Sequence, residues 1–177
     1  KEILGQTLDD AVGEAFDKVA RMLGLPYPGG PEISRLAAEA REKNIEMEKK
    51  LPRPMLHSGD FDFSFSGLKT AVLYYLRDKK EVNKLAVARE FEDAVSEVLV
   101  KKSLSAIDRY SPQTFIVGGG VVANNEIREE FTKMSEETGG PLLIPDRPLT
   151  PDNAVMIATS GSPSSISGKT VPFSPEA

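Results

Sequence analysis

The chain has no cysteine, no tryptophan and a single histidine, His57, in 177 residues. Without cysteine, a disulfide framework, a thiolate zinc site and a cysteine nucleophile are all excluded. With one histidine, any metal site built from this chain alone would consist mostly of carboxylates, and neither an H-x-x-x-H nor an H-E-x-x-H pair can form. His57 itself follows a proline pair and precedes Ser58 and Gly59, so it reads as an exposed loop residue. No apolar run reaches the ~20 residues that span a bilayer, and the opening KEILGQTLDD is not a signal peptide, so the expectation is a cytoplasmic protein with no membrane partner. Positive charge is also short: 22 Lys and Arg stand against 27 Asp and Glu, for a net charge of −5. A broad phosphate-binding surface is therefore not expected, and contact with nucleic acid would need a local patch or a partner. The chain starts at Lys1 without Met, directly in a strand-like segment, and reads as though it begins within a larger unit.

What is present suits a globular α/β protein, with 40% hydrophobic and 28% charged residues. Residues 1–6 read as a strand, and Thr7 with Asp10 resembles a capping box for a helix running to about Leu23, closed by Gly24. On that helix Val12, Phe16, Val19 and Leu23 form one stripe, the core face. Nearly opposite fall Asp10, Gly13, Glu14, Asp17 and Arg21. A charged face is ordinarily solvated, but Gly13 costs such a helix about 1 kcal/mol relative to Ala, whereas a close approach by a backbone or ligand would require it. LPYPGGP reads as a rigid turn with Gly29 and Gly30 free to take φ > 0, followed by a helix at about 32–40 and an exposed charged linker ending at Pro52 and Pro54. DFDFSFSG alternates strictly and predicts a half-buried strand, with Ser66 capping the next helix. A long helix over 82–110 carries Leu85, Phe91, Val95, Val98 and Leu99 on its core stripe, with Lys79, Lys80, Lys101 and Lys102 as solvated charge.

Beyond Pro112 the order is strand (TFIV), glycine loop, amphipathic helix, strand (PLLIP), which is a βαβ unit. The loop Gly118-Gly119-Gly120 stands where backbone N–H groups and a helix N-terminus attract phosphate. It is not a P-loop, since no Lys-Ser or Lys-Thr follows, but Gly118, Gly120 and Ala123 match G-x-G-x-x-A formally, with Asp146 available as a ribose-binding acid. A turn that merely needs glycine accounts for the same residues. Asn124 suits a helix cap or a ligand contact. Asp152, after Thr150 and Pro151 at a last helix start, suits the helix dipole or a metal. The tail over 159–177 is rich in Ser, Gly and Pro.

In order along the chain, LGQTLDDAVGEAFDKVARMLGLPYPGGPEI, FSFSGLKTAV, VGGGVVANNEIREE and TPDNAVMIA resemble the TsaD family of tRNA N6-adenosine threonylcarbamoyltransferases, formerly described as glycoproteases. The resemblance implies an actin-like ATPase fold, the RNase H-like two-lobe architecture shared with sugar kinases and heat-shock chaperones (ASKHA). This chain would supply most of the second, C-terminal lobe over 1–158, incomplete, with a helical insertion at about 24–60. It implies transfer of a threonylcarbamoyl group from threonylcarbamoyl-adenylate to N6 of the adenosine beside the anticodon. It also implies a nucleotide ligand (the adenylate or ATP), an iron or zinc ion, and tRNA with TsaB-like and TsaE-like proteins as partners. By the same resemblance Asp17 meets the ribose, the Gly30 backbone meets the nucleotide, Asn124 follows the nucleotide-facing Gly118-Gly119-Gly120 loop, and Asp152 is the C-terminal metal ligand.

Two features depart from the family pattern. Its metal-binding H-x-x-x-H pair and S-G-G-H phosphate loop, which belong to the N-terminal lobe, lie upstream of the first block. The isolated chain is therefore expected to be inactive, with weak or absent ATP binding by calorimetry. Ser34 stands where bacterial relatives often carry an acid that helps hold the nucleotide. Rival readings are a non-catalytic scaffolding or dimerisation lobe, and a dinucleotide-binding module that uses Asp146. A protease reading has no nucleophile, base or complete metal site in this chain.

Overall fold

The computed structural model describes residues 2–79 and 81–145. Five helices dominate: α1 (Val12–Met22), α2 (Gly29–Glu42), α3 (Ser66–Asp78), α4 (Lys84–Tyr110) and α5 (Asn125–Thr138), with strands β1 (Phe115–Ile116) and β2 (Leu142–Leu143) flanking α5. The strands pair in parallel, Phe115 with Leu142 and Ile116 with Leu143, so the expected βαβ unit is formed. It is mixed α/β with a small parallel sheet. The central helix is α4, against which α2 and α5 pack, while α1 lies on α2.

The periodicity that predicted α1 also sets its packing. Phe16, Val19 and Leu23 are buried and Val12 packs at the core edge. The Phe16 ring meets Phe91 of α4 edge-on at 5.1 Å, an arrangement favoured by the ring quadrupoles. Gly24, at φ +68°, ends the helix as expected. On α4, Asn83 caps the N-terminus by accepting from the N–H groups of Leu85 and Ala86, and Phe91, Val95 and Val98 are fully buried.

Several local expectations are corrected. Residues 2–6 form no strand, and DFDFSFSG pairs only through an isolated parallel bridge between Thr7 and Phe63. The alternation had the right period, but two extended segments joined at one residue do not make a ladder. Thr7 does not cap α1: its hydroxyl donates to the Asp10 carbonyl at 2.9 Å and the helix begins after Ala11. Ser66 is not the cap of α3 either. Asp9, 57 residues away, accepts from Ser66 Oγ at 2.6 Å and from the Phe65 N–H at 2.8 Å and the Ser66 N–H at 3.2 Å. Gly29 and Gly30 do not take positive φ but open α2, three residues earlier than expected. The charged linker is pinned rather than free: Met47 and Leu51 are buried, and buried Glu90 accepts from the Leu51 N–H at 2.9 Å and Lys50 Nζ at 2.9 Å and from Arg53. Lys102 is likewise buried, donating to Ser58 Oγ at 2.9 Å and to Asp60 Oδ1 at 3.0 Å.

The Asp9 cap makes stability depend on pH. Burial acts to raise its carboxyl, but the bonds from Ser64, Ser66 and the two backbone N–H groups outweigh that and hold it well below the ordinary value of 3.8. A depressed folded-state value means the contribution is complete above the unfolded value and is lost as pH falls below it. The urea midpoint of Asp9→Asn is therefore expected below wild type at about pH 6, with the gap narrowing steadily once pH drops under about 3.8. A gap independent of pH would contradict this.

Candidate nucleotide-facing cavity

Where α1, α2 and the glycine loop meet, they line an open cavity of about 630 Å³, within the range of small-molecule sites. Gly13 and Asp17 face it from α1, Gly30 and Ser34 from α2, and Gly120 and Asn124 from the loop side. The second stripe of α1 is thus divided. Gly13 and Asp17 belong to the cavity, whereas Asp10 accepts from Lys18 Nζ at 2.7 Å and Lys69 Nζ at 2.9 Å, Glu14 pairs with Lys18, and Arg21 is exposed.

Asp17 is fixed by the helix start opposite: its Oδ1 accepts the Gly29 N–H at 2.8 Å, a favourable place for a carboxylate because the first N–H groups of a helix are unpaired and carry positive partial charge. That contact needs glycine at 29. A Cβ there would lie 2.5 Å from Ala20 Cβ and 2.8 Å from Asp17 Cα. Gly30 is different, because among the described residues a Cβ there would meet no atom within 4 Å. Packing among the described residues does not require glycine at 30, which lines the cavity. Gly13 is intermediate, with Val121 3.8 Å from its Cβ position, so it does not serve a close backbone approach within the described residues.

The glycine loop departs from the phosphate-binding expectation. Gly119 takes φ +95°, but Gly120–Ala123 forms a short 3-10 turn before α5 begins. Asn124 caps α5 by accepting the Ile127 N–H at 3.0 Å. The glycines therefore do not lead straight into a helix N-terminus, and of the three only Gly120 lines the cavity. This weakens the formal G-x-G-x-x-A reading; Asp146, its acid, and Asp152, the expected metal ligand, lie outside the described residues. His57 is exposed, as expected. Among the described residues no group of three or more His, Cys, Asp or Glu side chains converges to hold a metal ion, and no helix is long and apolar enough to cross a membrane.

Behind the cavity wall lies a polar cluster that the motifs did not indicate. Asn124 Nδ2 donates to Ser34 Oγ at 2.5 Å and to Glu92 Oε1 at 2.6 Å, and Ser34 Oγ donates to the same Glu92 oxygen at 2.7 Å. Glu92 is 1% exposed, and its other oxygen accepts from Arg41 Nη1 at 2.6 Å. Arg41 also pairs with Asp93 and, at 3.3 Å, with Glu126. Burial raises the Glu126 carboxyl, with Asp93, Glu92 and Glu130 adding to the rise and Arg41 opposing it. A sequence signal did exist: Ala88, Glu92, Val95 and Leu99 are spaced four, three and four apart, which puts a carboxylate on the apolar stripe of α4.

Fold and cavity together describe a mixed α/β chain with a small parallel sheet and a cavity partly lined by glycine. The family model described as "TsaD: tRNA N6-adenosine threonylcarbamoyltransferase" matches residues 1–159, and the chain belongs to the TsaD family, whose fold is actin-like. It is 49% identical over 161 residues to the tRNA N6-adenosine threonylcarbamoyltransferase of Moorella thermoacetica, covering 89% of this chain and 46% of that protein. The same-named proteins of Thermosipho africanus and Burkholderia vietnamiensis are each 48% identical, over 162 and 170 residues, covering 90% and 91% of this chain and 48% of each relative. The chain spans about half the length of the curated relatives it matches.

Proposed function

We propose that this chain is the C-terminal lobe of a tRNA threonylcarbamoyltransferase and that its cavity takes the adenylate half of threonylcarbamoyl-adenylate. The observation that carries the reading is the convergence of Asp17, Gly30 and Asn124, far apart in sequence, on one cavity wall. Asp17 uses one oxygen on Gly29, which leaves the other for the vicinal ribose hydroxyls, two donors well matched to a fixed carboxylate. No atom of the described residues stands within 4 Å of the Cβ position of Gly30, which supports close approach of a flat base to backbone.

In the reaction the N6 amine of the tRNA adenosine attacks the carbamoyl carbon. A C–N bond forms, the C–O bond to the phosphate breaks, AMP leaves with the electron pair, and the amine loses a proton. The contribution of this chain is to bind and orient the adenylate, so that two reactants meet in a fixed geometry. An iron or zinc ion, with Asp152 as one ligand, remains part of the proposal; when bound it would polarise acyl or phosphate oxygens. The N-terminal lobe supplies the facing wall, and it, tRNA and TsaB-like and TsaE-like proteins are the proposed partners. With the chain at net −5, positive charge for tRNA has to come largely from those partners. A scaffolding role has one observation in its favour: Ile116 and Leu143, paired across the two strands, are 68% and 56% exposed.

A transferase assay with labelled threonylcarbamoyl-adenylate and tRNA tests the reading. The isolated chain is expected to give no modified adenosine, and co-expression with the N-terminal half of a relative is expected to restore it. Robust transfer by the chain alone would overturn the account of the missing half, and no transfer from any combination would favour the scaffold.

A further inference from the structure

We infer that Glu92 is a positioning residue for this cleft, holding Ser34 and Asn124 in the geometry that meets the ligand. The inference rests on the cleft being the ligand site, as proposed above.

Glu92 reaches the cavity wall from behind. One of its oxygens accepts from the Ser34 hydroxyl at 2.7 Å and the Asn124 amide at 2.6 Å, and Asn124 also donates to Ser34 at 2.5 Å, so the three side chains close a triangle. Two corners of that triangle, Ser34 and Asn124, line the cavity, while Glu92 is 1% exposed and does not. Since the hydroxyl has one proton and Glu92 holds it, Ser34 can offer the cleft only a lone pair. It therefore faces the ligand as an acceptor, suited to a hydroxyl or amine donor. A serine backed by a buried carboxylate thus supplies acceptor character where an exposed acid would otherwise be needed. Arg41 anchors the second Glu92 oxygen at 2.6 Å, which fixes the carboxylate and removes its freedom to rotate away from the triangle. Charge-assisted bonds of this length are the strong class.

The test uses the 177-residue chain, with ATP as probe and 15N NMR as readout. Glu92→Gln leaves Arg41 paired with Asp93 and Glu126, so it strands no cation and is expected to fold. Because Arg41 donates to this side chain, the amide oxygen turns to the guanidinium and the NH2 to the Asn124 donor, so the Asn124 side-chain amide signals are expected to move toward free-amide positions and to exchange faster with solvent. ATP affinity is expected to fall about tenfold, the size of one misplaced hydrogen bond. Glu92→Asp keeps the charge but shortens the reach, so it gives the same direction and replaces Glu92→Gln if that variant does not fold. Glu126→Gln, on the far side of Arg41, is the control and is expected to move neither readout. A folded Glu92→Gln with unchanged Asn124 signals and unchanged ATP affinity would overturn the inference. If ATP moves no cleft signal in the wild-type chain, the ligand reading of the cavity fails, and the Asn124 amide signals still decide whether Glu92 positions that side chain.

Discussion

Phe91→Ala is expected to lower the free energy of unfolding by about 3–5 kcal/mol, the cost of removing a large aromatic from a core that cannot fully collapse. Phe91 is fully buried on α4 and stands edge-on to Phe16 of α1 at 5.1 Å, with the rings at 81°. The truncation therefore removes both buried area and an aromatic pair worth about 0.5–1.5 kcal/mol beyond area. Small domains have only about 5–15 kcal/mol in total, so the variant should sit close to its unfolding threshold. Phe16 also lines the cavity, which ties the loss of core packing to the cleft wall. Urea unfolding followed by circular dichroism measures the effect; a loss under about 1 kcal/mol would contradict the packing described.

The second large effect separates two adjacent glycines. Gly29→Ala is expected to cost about 2–3 kcal/mol, in the upper part of the overpacking range. The new methyl would stand 2.5 Å from Ala20 Cβ and 2.8 Å from the Asp17 backbone. Neither neighbour is a flexible side-chain end, so α1 and α2 must move apart, and the 2.8 Å bond from Gly29 to Asp17 is strained or lost with them. Gly30→Ala meets no atom of the described residues within 4 Å. Its folding stability is expected to be unchanged or raised by up to about 1 kcal/mol, the helix-propensity gain of Ala over Gly. Its ligand affinity should nevertheless fall, because the methyl occupies the cavity side. The pair is checked by urea midpoints and ATP titration of both variants; equal destabilisation by both would show that Gly30 is structural.

These results also indicate what one sequence can disclose. The α1 stripe, the α4 stripe and the βαβ order were legible because they depend on periods of 3.6 and 2 within one segment. That Asp17, Gly30 and Asn124 line one cavity does not follow from their spacing, and the roles proposed for them rest on the family resemblance. What could not be read are contacts between distant residues that stand in for local signals. Asp9 caps α3 across more than fifty residues, displacing the plausible local cap, Ser66. Gly29 and Gly30 look alike in the string GGP, and only the distance to Ala20 distinguishes a packing glycine from a cavity glycine. Lys102 and Glu90 look like solvated helix charge until the linker folds over them. Glu92 was detectable in principle, as a carboxylate on an apolar stripe. Its partners, Ser34 and Asn124, are 58 and 32 residues away, and no local pattern links them.

The most direct measurement is a titration of the 15N-labelled chain with ATP, in parallel with Asp17→Asn. Asparagine can still accept the Gly29 N–H through its carbonyl oxygen, so the variant should fold, but it loses the charge and second acceptor offered to the ribose. The account predicts weak binding, with a Kd of about 1 mM or above, a binding free energy no more negative than about −4 kcal/mol. Shifts should be concentrated at Gly13, Asp17, Gly30, Ser34, Gly120 and Asn124 and should be largely abolished in Asp17→Asn. Shifts scattered elsewhere, none at all, or an identical response from Asp17→Asn would contradict it.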